Sequence, residues 1–363
     1  MKKILFFSFG LLTFNSVFAQ SGAKMDFEKY EPVTTLVVPE NKITRSKYPF
    51  IDIHNHQRDM SPANLETLIK AMDQLNMGLM VNLSGQGGEN LKRSIQNVQL
   101  NFQNRFVVFT NISFNGVGDE GWISTTLKQM EEDVKNGAMG LKIFKNLGFS
   151  VKDKEGKRVL VDDPRLDPIW KKCAELKIPV LIHTADPKSF WDPVDENNER
   201  WLEITTHPNR KRGATDPVPF EQLIEEQHRL FKNHPRTTFI AAHFGWFPND
   251  LNRLSILLDE MPNVLVEFGA VIAELGRQPR TAKKFFEKYQ DRILFGKDSW
   301  VPAEYPTYFR VLETEDEYFP YHKKYHAFWR MYGLGLPDTI LKKVYYKNAL
   351  RILPGIDRTP FPN

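Results

Sequence analysis

The chain has very little cysteine and almost no net charge. Cys173 is its only cysteine among 363 residues, which excludes an internal disulfide. Lys and Arg total 49 while Asp and Glu total 45, so the formal net charge is +4, and no basic block occurs. Nucleic acid is therefore not an expected partner, because its recognition depends on clustered positive charge.

Long apolar runs are also scarce, and the one that stands out lies at the N-terminus. Two lysines after Met1 precede an apolar run over residues 4–18, and Ala19 follows this run. This arrangement predicts a secretory signal peptide over residues 1–19, cleaved after Ala19. No later run reaches the length of a spanning helix, so we expect a periplasmic protein with no membrane segment after cleavage.

Strand-like runs alternate with helical periodicity beyond residue 47. Most of these runs are continuously apolar, as expected when helices cover one side of a parallel sheet and a packed interior fills the other. The predicted strands cover residues 48–54, 78–83, 105–113, 138–144, 178–183, 237–243, 263–268 and 292–296. The predicted helices cover residues 62–76, 90–103, 122–135, 166–176, 219–232, 248–259, 279–290 and 337–352.

Eight strand-then-helix units in succession predict an α/β fold, a (β/α)₈ TIM barrel, with a doubly wound open sheet as the alternative. The barrel forms a single domain over residues 48–355, between a lead-in segment over 20–47 and a tail over 356–363. Long loops follow the fifth strand, at residues 184–218, and the eighth, at residues 299–335. Barrel enzymes place their substrate loops at this end of the strands.

Residue types that bind metals follow the ends of several predicted strands. The carboxyl ends of parallel barrel strands meet at one mouth, so side chains there converge. Two histidines one residue apart on a strand share a face, and imidazole and carboxylate are common ligands of divalent metals. The residues so placed are His54 and His56 on the first strand, Lys142 on the fourth, His183 on the fifth, His243 on the sixth and Asp298 after the eighth.

Several of these positions belong to short motifs that follow one another in a fixed order. The motifs are Asp52–His56, Gly137–Lys142, the histidines ending the fifth and sixth strands, Gly296–Asp298 and Val344–Ile352. In them the sequence resembles the amidohydrolase superfamily, in the amidohydrolase-related branch that contains aromatic-acid decarboxylases and lactonases. The resemblance extends over residues 48–353 and implies the same barrel fold.

The resemblance implies a divalent metal bound by His54, His56, His183 and Asp298 at the barrel mouth. Zn²⁺ is the expected ion, with Mn²⁺ or Fe²⁺ as alternatives, because three imidazoles and one carboxylate suit each of them. Such an ion lowers the pKa of water. Asp298 would then act as general base, and His243 would polarise the substrate carbonyl or transfer a proton.

Lys142 leaves the number of metal ions open. A protonated lysine beside a divalent cation is electrostatically unfavourable. In some members of the superfamily the corresponding lysine is carboxylated and bridges two ions, and His183 and His243 would then bind the second. In the branch that this chain most resembles one ion is usual, and Lys142 would contact a substrate anion. We expect one ion.

Four further residues are candidates for substrate binding. Arg58 and Arg277 could hold a substrate carboxylate through two parallel hydrogen bonds, and Trp246 and Trp300 suit sugar or aromatic groups. Lys297 stands where relatives of this superfamily more often carry a small residue. We expect its side chain to extend into solvent.

The leading prediction is an exported metal-dependent hydrolase that cleaves an ester, lactone or amide of a small-molecule substrate. The alternative is a metal-dependent, non-oxidative decarboxylase of an aromatic or unsaturated acid, which would use the same ligands. Export favours hydrolysis, because secreted enzymes more often break down external material. A catalytically inactive periplasmic binding protein is a third reading, and the intact ligand set argues against it. The oligomeric state stays open.

Overall fold

The computed structural model describes residues 25–213 and 218–362. The chain divides into two compact units, Met1–Leu36 and Val37–Asn363. The described part of the first unit contains the short 3₁₀ helix Phe27–Lys29. The signal peptide predicted over residues 1–19 lies outside the described residues. Among the helices that are described, none is long and apolar enough to cross a membrane.

Short, buried, parallel strands form the centre of the second unit. Three of them pair in the order β1-β2-β3 and six in the order β4-β5-β6-β7-β8-β9, so each strand lies beside its neighbour in the sequence. These strands are β1 Phe50–Asn55, β2 Met77–Asn82, β3 Phe106–Val108, β4 Thr110–Asn111, β5 Leu141–Ile143, β6 Val180–Ile182, β7 Phe239–Ala241, β8 Val264–Glu267 and β9 Ile293–Leu294.

The two sets of strands follow one another around a barrel. Phe109 alone separates β3 from β4, so the predicted third strand is one run with a short interruption. The last strand returns to the first: the backbone N–H of Ile53 donates to the carbonyl of Phe295 at 2.9 Å, and that of Asp298 donates to the carbonyl of His54 at 2.7 Å. The predicted α/β TIM barrel is confirmed.

Amphipathic helices cover the strands, and α1 shows how the sequence specifies them. It begins with Pro62, a residue that suits the first turn because its missing N–H has no helical partner there. It buries Leu65, Leu68, Met72 and Leu75 along one face and ends at a left-handed cap. The helices are α1 Pro62–Leu75, α2 Gly88–Asn101, α3 Trp122–Lys135, α4 Asn146–Phe149, α5 Asp167–Leu176, α6 Trp201–Thr206, α7 Phe220–Asn233, α8 Leu251–Glu260, α9 Ile272–Gly276, α10 Pro279–Lys288, α11 Tyr305–Glu313, α12 Asp338–Lys342 and α13 Asn348–Ile352.

The two long loops contain structure that the sequence did not predict. The loop after β6 includes α6, and the loop after β9 includes α11 and the antiparallel pair β10 Phe319–Pro320 and β11 Arg330–Met331. The single helix predicted over residues 337–352 is divided by a π-helical turn, Lys343–Lys347. Both loops follow carboxyl ends of barrel strands, where they border the mouth.

Candidate metal centre

The backbone at the strand ends adopts conformations that are unfavourable for most residues. After β7, His243, Phe244, Gly245 and Trp246 have φ between 56° and 63°, and Asp298 after β9 has φ 81°. A left-handed conformation costs a non-glycine residue about 1–2 kcal/mol. It persists where the surrounding structure over-determines it, and such positions cluster at functional sites.

Three of the predicted ligands form a tight group. Nε2 of His54 lies 3.2 Å from Nε2 of His56 and 3.3 Å from Oδ1 of Asp298, and Nε2 of His56 lies 3.5 Å from the same oxygen. These three side chains each offer one ligand atom within the reach of a single metal ion. The group is therefore the centre of the candidate site.

Glu267 fixes the orientation of His54, and the sequence analysis had not proposed it as a site residue. Its Oε1 accepts hydrogen bonds from Nδ1 of His54 at 2.7 Å and from the backbone N–H of His243 at 2.8 Å. Its Oε2 accepts from the backbone N–H of Gly269 at 2.6 Å. With Nδ1 bonded to this carboxylate, His54 presents Nε2 as its ligand atom. The available signal was position, since Glu267 ends a barrel strand as the ligands do.

The space around this carboxylate admits no side chain at residue 296. A Cβ atom on Gly296 would lie 2.3 Å from Oε2 of Glu267 and 3.0 Å from Cβ of His54. Glycine is therefore required at residue 296 for the segment after β9 to pass this close to β1 and to the end of β8. This close approach gives the glycine of the Gly296–Asp298 motif its physical role.

His183 and His243 face each other with nitrogens that carry no hydrogen. Nδ1 of His243 donates to the carbonyl of Gly269 at 2.6 Å, and Nε2 of His183 donates to the carbonyl of Ala185 at 2.8 Å. A neutral imidazole has one N–H, so both remaining nitrogens are acceptors, and they lie 3.4 Å apart. His183 thus reaches the group through His243, and it belongs to neither of the tight ligand groups among the described residues.

Three of the four histidines are neutral at neutral pH. Burial, followed by the charge of His54, lowers the pKa of His56 to about 3. Burial also lowers the pKa of His183 and His243. Neutral imidazoles are the form that binds metals, so these rings fit a divalent ion.

His54 and Asp298 form an opposite-charge pair within the site. Burial lowers the pKa of His54, but the charge of Glu267 outweighs it and raises that pKa to about 9. Burial raises the pKa of Asp298, and the hydrogen bond and charge of His54 outweigh it and hold that pKa well below its usual range. Asp298 is therefore a carboxylate, and a metal ion would compete with a proton for Nε2 of His54.

Lys142 is buried close to the site and has no partner. Its Nζ makes no hydrogen bond within the described part of the chain and lies 5.4 Å from the centre of the Phe144 ring. Burial lowers the pKa of this amine to about 8. An unpaired buried amine costs free energy unless a ligand or a modification satisfies it, which is consistent with both predicted roles.

Two cavities expose the site to the mouth, and three of the predicted substrate-binding residues line them. Arg58 and Trp300 line a cavity of about 830 Å³ that reaches Asp298. Trp246 lines another of about 370 Å³ that reaches both Asp298 and His243. The Trp246 ring lies 4.7 Å from that of His243, so it forms part of the wall beside the ligands.

The structure places Arg277 elsewhere. Its guanidinium is bound by Glu199 at 2.7 Å and Glu274 at 2.7 Å, and it lies 4.1 Å from the centre of the Trp329 ring. With two carboxylates and an aromatic face already engaged, this guanidinium lies in an internal ion-pair network and lines neither cavity of the metal centre.

The expectation that Lys297 extends into solvent is wrong. Its side chain is buried, ion-paired with Glu304, and donates to the carbonyl of Ser299 at 2.8 Å. Glu304 also binds Lys323 at 2.9 Å. The lysine thus ties the strand that precedes Asp298 to the following loop.

A parallel barrel with clustered histidines and an aspartate at its mouth is the architecture of the metal-dependent amidohydrolases. The family model described as amidohydrolase matches residues 111–355, which is more than half of the chain. The chain belongs to the amidohydrolase family. No curated protein matches it significantly.

Solved structures with the same fold are distant in sequence. A dihydroxybenzoic acid decarboxylase from Polaromonas sp. JS666, with manganese and 2-nitroresorcinol bound, is 14% identical with a TM-score of 0.53, covering 84% of this chain and 96% of that one. A 2,6-dihydroxybenzoate decarboxylase complexed with 2,6-dihydroxybenzoate is 15% identical with a TM-score of 0.50, covering 84% and 99%. An uncharacterised TIM-barrel protein from Bordetella bronchiseptica is 15% identical with a TM-score of 0.51, covering 84% and 98%.

Proposed function

We propose that this protein is an exported metal-dependent hydrolase that cleaves an ester, lactone or amide of a small-molecule substrate. The observation that carries the proposal is the convergence of His54, His56 and Asp298, with their ligand atoms 3.2–3.5 Å apart. A proton on His54 can hold the three side chains together when no ion is bound, and a divalent ion that replaces this proton would find three ligand atoms already in place. A site of this composition is suited to Zn²⁺, with Mn²⁺ or Fe²⁺ as alternatives.

Four residues would hold the ion: His54, His56 and Asp298 of the tight group, and His183, which lies beside that group against His243, as the fourth ligand. When bound, a divalent ion polarises a carbonyl oxygen and lowers the pKa of water. Glu267 would keep the His54 ring in its binding orientation, as carboxylates do for histidine ligands in many metal sites.

The chain's own groups provide the proton transfers. Asp298, a carboxylate at neutral pH, would accept the proton of the attacking water. His243 keeps its Nδ1 hydrogen on the carbonyl of Gly269, so its Nε2 would accept a proton and pass it to the leaving group. Arg58, exposed at the rim of the larger cavity, would bind an anionic part of the substrate.

The second candidate is non-oxidative decarboxylation of an aromatic or unsaturated acid. Two observations favour it: two of the solved structures with this fold are dihydroxybenzoate decarboxylases, and the unpaired amine of Lys142 is suited to a carboxylate. Its charge would attract the reacting carboxylate of an acid, whereas the reacting group of an ester, lactone or amide is uncharged.

The number of bound ions depends on whether His243 is a metal ligand. We propose one ion, with His183 as a ligand and His243 free for proton transfer. In the two-ion alternative His183 and His243 would hold the second ion, and Lys142 would be carboxylated. His243→Ala separates the two arrangements, since it retains the metal in the first and lowers the metal content in the second.

The deciding experiment is a substrate panel on metal-loaded protein, with esters, lactones, amides and aromatic acids as separate arms. Ester, lactone or amide cleavage supports hydrolysis, and carbon dioxide release from an acid without cleavage of any ester would establish the lyase instead. His56→Ala should lose both metal and activity. His207→Ala, which changes a histidine of the loop after β6 that belongs to neither ligand group among the described residues, should keep the metal.

Export is tested separately. The protein produced with residues 1–19 in place should be recovered from the periplasm with Gln20 as its first residue. Recovery of the uncleaved chain from the cytoplasm would contradict this part of the proposal.

A further inference from the structure

A cavity that contains none of the predicted ligands adjoins the metal centre. It has a volume of about 620 Å³ and lies between the segment after β4 and the first turn of α3, and we call it the α3 cavity. Asn111, at the end of β4, lines both the α3 cavity and the 830 Å³ cavity that reaches His56 and Asp298. The volume is in the range of small-molecule sites. The two cavities are therefore neighbours at one mouth.

One wall of the α3 cavity is a fixed aromatic ring. Trp122 is partly exposed, its indole N–H donates to the carbonyl of Ser113 at 3.2 Å, and its ring stacks on that of Phe114 at 6.4 Å between centroids. Because the ring is held at its edge and on its face, little conformational freedom is left to lose when a ligand binds. Such a ring offers a flat apolar surface in front of solvent.

The other walls are rich in hydrogen-bond acceptors. The side chains of Asp119 and Glu120 are exposed, and within the described part of the chain neither carboxylate has a hydrogen-bond or ion-pair partner. Gln129 donates its amide N–H to Asp133 at 2.9 Å, which leaves its amide oxygen as an acceptor. No lysine or arginine is among the described residues that line the cavity. A ligand that donates several hydrogen bonds and carries no negative charge fits these walls.

A helix begins at the back of the cavity. The α3 helix is 14 residues long and begins beside Gly121, with no side chain capping its first turn. The N–H groups at a helix N-terminus carry a partial positive charge, which reduces the negative charge of the nearby carboxylates only in part. The remaining polar side chains of the lining are neutral: those of Asn111, Ser113, Asn115, Thr125 and Thr126. Together with the aromatic wall, these neutral hydrogen-bonding groups suit a ligand that carries several hydroxyl groups on a ring.

We propose that the α3 cavity binds a neutral polyhydroxylated ring, such as a pyranose. The C–H face of the ring would pack on Trp122, and its hydroxyl groups would donate to Asp119, Glu120 and the amide oxygen of Gln129. Because Asn111 borders both cavities, the α3 cavity then serves as a distal subsite for a glycosylated substrate. This second statement rests on the proposed hydrolase function, while the binding statement does not.

The binding statement is tested on the mature full-length protein with methyl glucoside, methyl mannoside and cellobiose as probes. Titration calorimetry and saturation-transfer NMR measure the binding of each probe. Trp122→Ala should weaken saccharide binding at least tenfold, and Asp119→Asn with Glu120→Gln should weaken it as well while leaving the aromatic wall intact. Trp201→Ala, a tryptophan outside the cavity lining, is the matched control. Thermal unfolding of each variant confirms that it is folded.

Three outcomes would overturn the binding proposal. They are the absence of saccharide binding at millimolar concentration, an equal loss in Trp122→Ala and Trp201→Ala, and tighter binding of cyclohexylamine than of any saccharide. The last outcome would identify a cation site instead.

The distal-subsite role is tested with two acetate esters, methyl acetate and an acetylated methyl pyranoside. Trp122→Ala should lower kcat/KM for the glycosyl ester about tenfold through KM and leave that for methyl acetate unchanged. If methyl acetate is cleaved and the variant has the native kcat/KM for both esters, the distal-subsite role is wrong and the hydrolase function is unaffected. A metal-loaded protein that cleaves neither ester nor any other member of the hydrolase panel would contradict the hydrolase function. If saccharides still bind at Trp122 in that case, the binding proposal for the α3 cavity is retained.

Discussion

Nδ1 of His54 lies 2.7 Å from Oε1 of Glu267, so the carboxyl end of β8 fixes a ring at the carboxyl end of β1. Both side chains are fully buried. The contact determines which ring nitrogen of His54 faces His56 and Asp298, and so it defines the ligand atom before any ion is considered. The same carboxylate holds the backbone of His243, which joins three strand ends in one hydrogen-bonded unit.

Glu267→Gln should therefore weaken metal binding by about 10–100-fold, the usual effect of losing the group that orients a histidine ligand. The amide cannot accept hydrogen bonds at both ends as the carboxylate does, so His54 loses its fixed orientation or Gly269 loses its partner. Affinity is measured by competition with a chelating dye. Glu89→Gln, at an exposed position in the first turn of α2, should bind metal like the native protein. Unchanged affinity in Glu267→Gln would show that the ring is held by other contacts.

Gly296→Ala should destabilise the fold by about 1–3 kcal/mol, the cost of forcing an extra methyl group into a packed site. The added Cβ meets Oε2 of Glu267 at 2.3 Å, and hydrogen bonds from His54, His243 and Gly269 hold this buried carboxylate in place. Chemical unfolding measures the loss. At Gly156 a Cβ would meet no atom within 4 Å, so Gly156→Ala measures backbone strain without a packing clash. A smaller loss at Gly296 than at Gly156 would contradict the packing argument.

Glu304→Gln should lower the free energy of unfolding by about 3–5 kcal/mol, since it leaves the buried ammonium of Lys297 without its carboxylate. Adding Lys297→Met to this variant should recover much of the loss, because no unpaired charge then remains in the interior. Urea unfolding of both single variants and the double variant closes the cycle. If the losses of the two single variants simply add in the double variant, the side chains of Lys297 and Glu304 do not interact.

His228 should make the free energy of unfolding depend on pH, independently of the metal centre. Burial, and then the charge of Arg253, lower its pKa from 6.5 to about 4, while Glu221 acts in the opposite direction. The folded protein thus holds the neutral ring, and the unfolded chain takes up a proton first as the pH falls. The stabilisation is fully present above pH 6.5 and is lost progressively towards pH 4.

His228→Gln should flatten this part of the stability profile. Melting temperatures at pH 7.5, 6 and 5 should fall less steeply in the variant than in the native protein, because the side chain no longer titrates. Parallel profiles for the two proteins would show that the buried ring is not responsible for the pH dependence.

Much of the fold and the centre of the site could be predicted from the sequence, because both follow from periodicity and strand order. Placing His54, His56 and Asp298 on the first and eighth strands brings them together once the barrel closes. The same reasoning places His183 and His243 at the mouth, but it does not show that their rings face each other 3.4 Å apart. That distance depends on the left-handed turn after β7, and the local sequence carries no strong signal for such a turn.

Side chains whose partners lie in loops were the least predictable. Lys297 was expected in solvent because nothing beside it in sequence indicated Glu304, which approaches from the loop after β9. Arg277 was expected at the substrate because nothing near it in the sequence indicates its partner Glu199, which lies in the loop after β6. Pairings of this kind are set by how irregular segments fold over the mouth, and alternation of apolar and polar residues does not encode them.

The most direct test of the metal centre is the metal content of the purified protein after loading and exhaustive dialysis, measured for the native chain, His56→Ala and His207→Ala. The native protein and His207→Ala should each retain one divalent ion per chain. His56→Ala, with an unchanged melting temperature in the presence of chelator, should retain none. A native chain that is folded and retains no ion, or a His56→Ala variant that binds metal as tightly as the native chain, would contradict the metal centre proposed at His54, His56 and Asp298.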